Sequence, residues 1–292
     1  MEACLDSVRG QTFTAWEHIV VDSLSTDGTI ELVQRHIETD TRIKMISEKD
    51  FGIYDAMNQG IRHTRGEWIY FLGSDDQFHR PDVLTSFLEA KSDQADLVYG
   101  NVLLVPGGIV YDGPFDLNKL FVKNISHQAI FYRRSLFARF GLFDLRFPVC
   151  ADWDFNLRCF SDPEVRCQFI DLTVADFYVG GASSAGANLD PGWKEERIKL
   201  LAQRLGLGPE HSAALTSIIT LIQGEHDVAI RELKKLSEKK YASLVDMNND
   251  LRNSVTYRVG SALISPIRSA KRLVLGNNQA AVEMHPTTLQ KK

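Results

Sequence analysis

The sequence lacks long apolar runs, paired cysteines and any excess of positive charge. No apolar stretch among its 292 residues approaches the ~20 residues that a membrane-spanning helix needs. The four cysteines form no C-x-x-C pair, which argues against a zinc or disulfide framework. With 33 basic and 38 acidic side chains the net charge is −5, so the whole chain is no general binder of nucleic acid.

The first residues, MEACLDSVRGQTF, lack the apolar core of a secretory signal. Together with the isolated cysteines, this predicts a cytoplasmic protein whose thiols are reduced and fill the core. Hydrophobic residues make up 44% of the chain and charged residues 24%, as in ordinary globular proteins. Collagen-like and wholly disordered chains are therefore excluded.

Short apolar runs alternate with helical patterns over the first 180 residues or so, and this indicates an α/β domain, placed at residues 1–205. The predicted strands are Trp16–Asp22, Arg42–Ser47, Glu67–Leu72 and Ala95–Tyr99. An apolar stripe of Ile53, Met57 and Ile61 predicts a helix between the second and third strands. Residues 2–9 resemble a first helix, although such domains usually open on a strand. Either that strand is missing from this chain or the domain begins with the helix.

The character of the sequence changes after residue 205. Residues 206–276 predict a helical extension, and residues 277–292 a loose tail. Residues 251–276 carry five basic and no acidic side chains, with Val255, Val259 and Leu263 spaced four apart. Such a helix can lie on an anionic membrane surface as a peripheral contact. The alternative is a helix packed on the first domain with a solvated basic face.

Three acidic segments could carry chemistry. The first, Asp22–Thr29, lies between a predicted strand and a predicted helix, where open α/β sheets bind ligands. An acidic side chain there can accept hydrogen bonds from a base or a ribose. Helix capping by Ser25, Thr26 or Asp27 explains the same residues equally well.

The second segment, Gly73–Asp76, follows the apolar run WIYFL. The adjacent carboxylates of Asp75 and Asp76 repel each other unless a cation offsets them. Mg²⁺ and Mn²⁺ commonly bind one or two protein carboxylates together with substrate phosphate oxygens. An acidic surface turn is the alternative.

The third segment, Ala151–Phe155, places Asp152 and Asp154 among aromatic residues. A carboxylate held in such a pocket wall can take a proton from an attacking hydroxyl. The alternative is the start of a helix capped by one of these aspartates.

With all three segments in view, the chain resembles the family 2 glycosyltransferases of GT-A type, which are inverting enzymes that use nucleotide-diphosphate sugars. The matching stretches are LDSVRGQTFTAWEHIVVDSLSTDGT, SEKDFGIYDAMNQGIRHTRGEWIYFLGSDDQF and ISHQAIFYRRSLFARFGLFDLRFPVCADWDFNLR. The string EKDFGIYDAMNQGI is far more specific than an isolated pair of aspartates. The resemblance covers residues 2–180 and implies a GT-A, Rossmann-like α/β fold with a C-terminal helical extension.

The resemblance implies a role for each candidate site residue. Asp22, Asp50 and Asp75 would bind the nucleotide sugar, Asp75 and Asp76 would hold Mg²⁺ or Mn²⁺, and Asp152 would be the catalytic base. His127, Gln128 and Trp153 would line the acceptor side, although His127 is explained equally well as core filler. Gly73 stands where many members have the first aspartate of Asp-x-Asp.

The function that the resemblance implies is metal-dependent transfer of a hexose, with inversion, from a nucleotide-diphosphate sugar. The acceptor would be a glycan or a lipid-linked hydroxyl in cell-surface polysaccharide synthesis, at the inner face of the plasma membrane, and no nucleic acid is involved. The alternative, motivated by the absent opening strand, is a non-catalytic nucleotide-sugar-binding or assembly protein of the same fold.

Overall fold

A computed structural model describes residues 1–178, 190–204, 207–208, 211, 213–217 and 219. All of these residues belong to one compact unit, Met1–Ser237. The predicted tail lies outside the described residues, as does the predicted extension apart from the short stretches up to residue 219. The basic segment 251–276 is likewise outside them. The boundaries predicted for the three regions therefore stay predictions.

Strands and helices alternate along the described chain. The strands are β1 (His18–Asp22), β2 (Ile43–Ser47), β3 (Trp68–Tyr70), β4 (Gln77–Phe78), β5 (Leu97–Val105), β6 (Ile109–Tyr111), β7 (Ile130–Arg133) and β8 (Cys167–Tyr178). The helices are α1 (Glu2–Arg9), α2 (Thr29–Thr39), α3 (Ile53–His63), α4 (Val83–Ala90), α5 (Leu117–Val122), α6 (Arg134–Phe140), α7 (Ala151–Ser161) and α8 (Pro191–Arg204). A 3₁₀ turn, His127–Ala129, precedes β7.

The strands that the structure describes form two sheets. β1 and β2 pair in parallel, with Asp22 opposite Ser47 at their carboxyl ends. The second sheet is mixed, with the order β3-β7-β5-β8-β4 and β6 added to β5. β5 runs parallel to β8 and antiparallel to β6 and β7. The predicted α/β fold is confirmed for the described residues.

The predicted third strand is too long. The sequence predicts a strand over Glu67–Leu72, but β3 ends at Tyr70. Phe71 and Leu72 still pack against the core although their backbone leaves the sheet. Burial therefore keeps the sequence apolar beyond the last paired residue. The next strand, β4, begins at Gln77.

Helix α3 forms as predicted, but its buried face is only partly the predicted one: Ile61 is buried and Met57 packs against the core. The buried residues are Tyr54, Asn58 and Ile61, whereas Ile53 is 37% exposed. Asn58 is buried because its side chain bonds both polar groups of one residue. Its Nδ2 donates to the Phe143 carbonyl at 2.9 Å, and its Oδ1 accepts the Phe143 N–H at 2.9 Å. This pair ties α3 to the segment that leads into α7.

Glycine allows β5 and β8 to approach closely. The β5–β8 register shifts between Tyr99 and Asn101, across Gly100, and again between Asn101 and Val102. A Cβ added there would lie 2.3 Å from the Leu172 carbonyl oxygen, which is closer than a carbon can approach. The local geometry therefore requires glycine.

The core contains the cysteines, as the sequence predicts. Cys4, Cys150 and Cys159 are buried free thiols, and Cys167 is half-buried. Burial raises the pKa of Cys4 and of Cys167 to about 12, so both are inert. Within the part of the chain that is described, no helix is long and apolar enough to cross a membrane.

Candidate functional site

The carboxylate of Asp22 lies at the carboxyl end of β1 and is 5% exposed. Its Oδ2 accepts hydrogen bonds from the Ser25 N–H at 3.1 Å and from the Ser47 hydroxyl at 2.9 Å. Burial opposes the charge of Asp22, but hydrogen bonds from Ser25, Ser47 and Leu24 outweigh it and lower the pKa. Asp22 is therefore a fixed negative acceptor at this edge of the sheet.

Helix capping is the alternative explanation for this segment. The N-cap of α2 is Gly28, and no side chain forms a cap hydrogen bond there. Oδ1 of Asp27 accepts the Thr29 N–H at 3.1 Å, just before the helix. Asp22 contacts the strand ends instead and does not cap the helix.

Asp50 lies beside Asp22 on the loop that follows β2. Its backbone N–H donates to the Ser23 hydroxyl at 3.3 Å, which joins the loops after β1 and β2. Its Oδ1 accepts the Gly52 N–H at 3.0 Å, just before α3 begins. The structure thus brings the two predicted nucleotide-binding aspartates, Asp22 and Asp50, to one rim.

Asp76 is buried, whereas Asp75 is exposed on the preceding turn. The Gln128 amide donates to Oδ2 of Asp76 at 2.7 Å, and the Tyr178 N–H donates to Oδ1 at 2.9 Å. Gln128 was expected on the acceptor side, but here its side chain orients the predicted metal-binding carboxylate. A merely acidic surface turn would not bury Asp76.

The electrostatics of Asp76 fit a bound cation. Burial, and then repulsion from Asp75, raise its pKa, and donors from Tyr178 and Gln128 only partly offset this. Among the described residues, no three His, Cys, Asp or Glu side chains form a complete metal cluster. The two carboxylates therefore fit a hard cation that draws its other ligands from a diphosphate and water.

Gly73 leaves no room for a side chain next to these carboxylates. A Cβ at this position would lie 2.6 Å from Oδ2 of Asp76 and 3.0 Å from Oδ1 of Asp75. The glycine that replaces the first aspartate of Asp-x-Asp is thus packed directly against the remaining pair.

The predicted base, Asp152, lies in the first turn of α7 and is 5% exposed. Its Oδ1 accepts hydrogen bonds from the Tyr54 hydroxyl at 2.7 Å and from the Trp153 N–H at 2.8 Å. Oδ2 lies 3.6 Å from Nδ1 of His127. His127 therefore faces the base, rather than being core filler alone.

Two neighbours of Asp152 have structural contacts. Asp154 forms a salt bridge with Arg158 at 2.8 Å, one turn along α7. The Trp153 indole donates to the Leu120 carbonyl at 2.6 Å and lies 5.8 Å from the ring of Trp193. The Trp153 ring is packed in the core here, and its acceptor-side role stays a prediction.

The 3₁₀ turn joins the two halves of the site. His127 faces Asp152 and the adjacent Gln128 binds Asp76. On the other side, Tyr54 follows Asp50 on the chain and reaches Asp152. Contacts therefore link Asp76 to Asp152 through the 3₁₀ turn, and α3, which begins shortly after Asp50, supplies a partner of Asp152. The 3₁₀ turn of this mixed α/β domain thus lies between two buried carboxylates, Asp76 and Asp152.

Comparison with known proteins shows the family. The chain matches Glycosyl transferase family 2 over residues 1–150, half of its length, and it belongs to that family. A PGL/p-HBAD biosynthesis glycosyltransferase of Mycobacterium bovis (strain BCG / Pasteur 1173P2) is 40% identical over 189 residues, which is 63% of this chain and 73% of the relative. The predicted family and the general assignment as a glycosyltransferase are confirmed.

Solved structures show the same fold. The S. aureus TarS fragment 1–349 in complex with UDP superposes with a TM-score of 0.55 at 18% identity, over 75% of this chain and 66% of the fragment. The mannosyltransferase PcManGT from Pyrobaculum calidifontis, in complex with GDP-Man and Mn²⁺, gives 0.51 at 20% identity, over 92% and 82%. At these identities the likeness establishes the GT-A fold.

Sequence reasoning missed two features of the site. Tyr54 was quoted only as part of EKDFGIYDAMNQGI, and its contact with Asp152 spans 98 residues. The Tyr178 backbone donor to Asp76 spans 102 residues. The one available signal was the polar end of Tyr54 within an otherwise apolar helix face, since a buried tyrosine hydroxyl usually finds a partner.

Proposed function

We propose that this protein transfers a sugar from a nucleotide-diphosphate sugar to an acceptor hydroxyl with inversion at the anomeric carbon. The acceptor oxygen forms a bond to the anomeric carbon while the bond from that carbon to the diphosphate oxygen breaks. The electron pair of the broken bond leaves with the nucleoside diphosphate. Asp152 takes the proton of the acceptor hydroxyl.

The observation that carries this proposal is the turn His127–Gln128. Gln128 contacts Asp76, the carboxylate that would hold the cation of the donor diphosphate. His127 faces Asp152, the carboxylate that would act as the base. Inverting transfer needs these two functions on either side of one reacting carbon. A protein that only bound nucleotide sugars would need no carboxylate such as Asp152 on the far side of this turn from Asp76.

The donor half of the site has a role for each aspartate. Asp22, with its lowered pKa, is a charged acceptor for a base or ribose, and Asp50 lies on the same rim. Asp76 and Asp75 would hold Mg²⁺ or Mn²⁺, which would offset charge on the departing diphosphate. The neighbour bound to GDP-Man and Mn²⁺ supports this assignment.

The substrates are inferred from similar proteins. Solved neighbours bind UDP, UDP-GlcNAc or GDP-Man, which supports a nucleotide-diphosphate sugar donor. The name of the mycobacterial relatives refers to PGL/p-HBAD biosynthesis. We therefore propose an acceptor that is a lipid-linked or other glycan hydroxyl, used in glycolipid or polysaccharide synthesis on the cytoplasmic side of a membrane.

Substitution of Asp152 by Asn tests the proposal. The variant keeps the side-chain shape but accepts no proton. UDP and GDP binding with Mn²⁺, measured by thermal shift, should persist, while donor turnover should fall by ~10²-fold or more. Asp93→Asn, at a fully exposed side chain, is the control.

Two results would overturn parts of the proposal. Equal turnover by the Asp152→Asn and wild-type proteins would remove Asp152 from the chemistry. Mn²⁺-dependent nucleotide binding by the wild type, with no turnover of any donor in a panel that includes UDP-GlcNAc and GDP-Man, would favour a non-catalytic binding or assembly protein.

A further inference from the structure

We propose that Tyr54 is a positioning residue that anchors Oδ1 of Asp152, so that Oδ2 is the oxygen that accepts the proton. This inference rests on the proposed function, because it concerns the same base. It assigns a task to Tyr54 and distinguishes the two oxygens of the carboxylate.

The two oxygens have different surroundings. Oδ1 is held by two donors, the Tyr54 hydroxyl at 2.7 Å and the Trp153 N–H at 2.8 Å. Oδ2 faces His127 Nδ1 at 3.6 Å, which is beyond hydrogen-bond length. An oxygen that already accepts two hydrogen bonds is a poor proton acceptor. Oδ2 is therefore the one left to receive a new proton.

Tyr54 is held firmly enough to set this orientation. It is 4% exposed, and its ring lies 5.5 Å from the ring of Phe143. One turn further along α3, Asn58 makes both of its hydrogen bonds to the backbone of Phe143. The tyrosine ring and its helix are thus fixed to the same short segment, which leads into α7.

The hydroxyl of Tyr54 stays protonated and can donate. Burial, followed by the charge of Asp152, raises the pKa of Tyr54 well above its ordinary value. The same hydroxyl lies 2.9 Å from the Val149 carbonyl. Because a phenol has a single hydrogen, the charged carboxylate competes with this carbonyl for it, and charge-assisted bonds are the stronger.

Other titratable groups surround Asp152. Burial, and then the Asp152 charge, raise the pKa of Tyr132 on β7 and of Cys150 at the start of α7, so both remain neutral. His127 on the 3₁₀ turn faces Oδ2. Of these four ionisable side chains, Tyr54 is the one that forms a hydrogen bond with the Asp152 carboxylate.

Replacement of Tyr54 by Phe removes one donor from Oδ1 and leaves the ring. We expect kcat to fall about 10-fold, as for the loss of one positioning contact worth ~1.4 kcal/mol. The KM for the donor should be unchanged. The acidic limb of the kcat–pH profile should move to higher pH, because the ionised carboxylate loses a hydrogen bond that favours it.

Tyr99→Phe is the matched control, because Tyr99 is also buried and its hydroxyl bonds the Phe115 backbone instead. It should leave kcat and the pH profile unchanged. A second variant, with 3-fluorotyrosine at position 54, keeps the hydroxyl and makes it a stronger donor. Its acidic limb should move to lower pH than that of the wild type.

The outcomes separate the two proposals. If Asp152→Asn abolishes turnover but Tyr54→Phe leaves both kcat and the acidic limb unchanged, the positioning role is wrong and the proposed function stands. A lower kcat with an unmoved limb in both position-54 variants also overturns it, since packing alone would then explain the loss. If Asp152→Asn turns over normally, the base itself is wrong.

Discussion

Gln128 donates a hydrogen bond of 2.7 Å to Oδ2 of Asp76, 52 residues away along the chain. The amide oxygen of Gln128 accepts in turn from the Ser126 hydroxyl at 2.7 Å, which fixes the side chain. Gln128 is 2% exposed. This contact gives a buried glutamine the task of holding a carboxylate that, in the proposed function, receives a cation.

Replacement of Gln128 by Leu should weaken Mn²⁺-dependent nucleotide binding. Removal of a group that orients a metal ligand typically costs 10–100-fold in metal affinity, so we expect a loss of about that size. A thermal-shift titration with Mn²⁺ in the presence of UDP or GDP measures it. Gln168→Leu is the control, because the Gln168 side chain donates to the Ala90 carbonyl at the opposite end of β8 from Tyr178. Equal Mn²⁺ affinities for the two variants would contradict this prediction.

Asp40 should make stability depend on pH. Hydrogen bonds from Arg42 lower the pKa of Asp40 to about 2, and Arg42 also stacks on the Trp16 ring at 3.7 Å. Because the folded pKa is depressed, the contribution is present above about pH 4 and is lost as pH falls toward 2. Asp40→Asn should therefore lower the urea midpoint at pH 7, and its midpoint should approach that of the wild type only as pH falls to about 2. A difference that is independent of pH would refute the electrostatic explanation.

Two glycines should respond in opposite directions to alanine. Gly100→Ala places a carbon against the Leu172 carbonyl, and overpacking of this kind costs ~1–3 kcal/mol of unfolding free energy. Gly60 lies within α3, where a Cβ would be 3.6 Å from Val21 Cγ2, an ordinary contact. Gly60→Ala should stabilise the protein by ~0.5–1 kcal/mol. Urea unfolding measures the change in unfolding free energy for each variant. Changes of the same sign in both variants would contradict this prediction.

The basic segment, residues 251–276, supplies a prediction that comes from the sequence alone. Each basic residue near an anionic membrane surface contributes about 1 kcal/mol, so five could hold a protein of net charge −5. The full chain should sediment with vesicles of phosphatidylglycerol and phosphatidylcholine but not with phosphatidylcholine alone. Salt should weaken binding, and deletion of residues 251–292 should abolish it. Absence of binding to both kinds of vesicle would favour the packed-helix alternative.

The sequence predicts the acidic residues of the site better than their partners. Asp22, Asp50, Asp75 and Asp76 follow strands or turns that local patterns reveal, because hydrophobic runs mark where strands end. Gln128 and Tyr178 lie 52 and 102 residues from Asp76, and Tyr54 lies 98 residues from Asp152. Local periodicity carries no information about such distances. The acceptor-side role of Gln128 came from the family resemblance and stays a prediction.

Helix α3 shows the same limit within one element. Apolar spacing favours Ile53, Met57 and Ile61 as its buried face; the structure buries Ile61 and packs Met57 against the core, but it exposes Ile53 and buries Tyr54 and Asn58 as well. Their polar atoms are satisfied by Asp152 and by the Phe143 backbone. A hydrophobicity pattern ranks such residues as surface because it counts the polar atom and not its partner.

The close contact at Gly73 limits how this site could change. An aspartate at position 73 would restore the usual Asp-x-Asp motif, but its Cβ would lie 2.6 Å from Oδ2 of Asp76. The Asp76 carboxylate would have to shift, and its hydrogen bonds with Gln128 and Tyr178 would shift with it. A substitution at position 73 thus acts on the carboxylate to which the proposed function assigns the cation, although residue 73 itself would bind nothing.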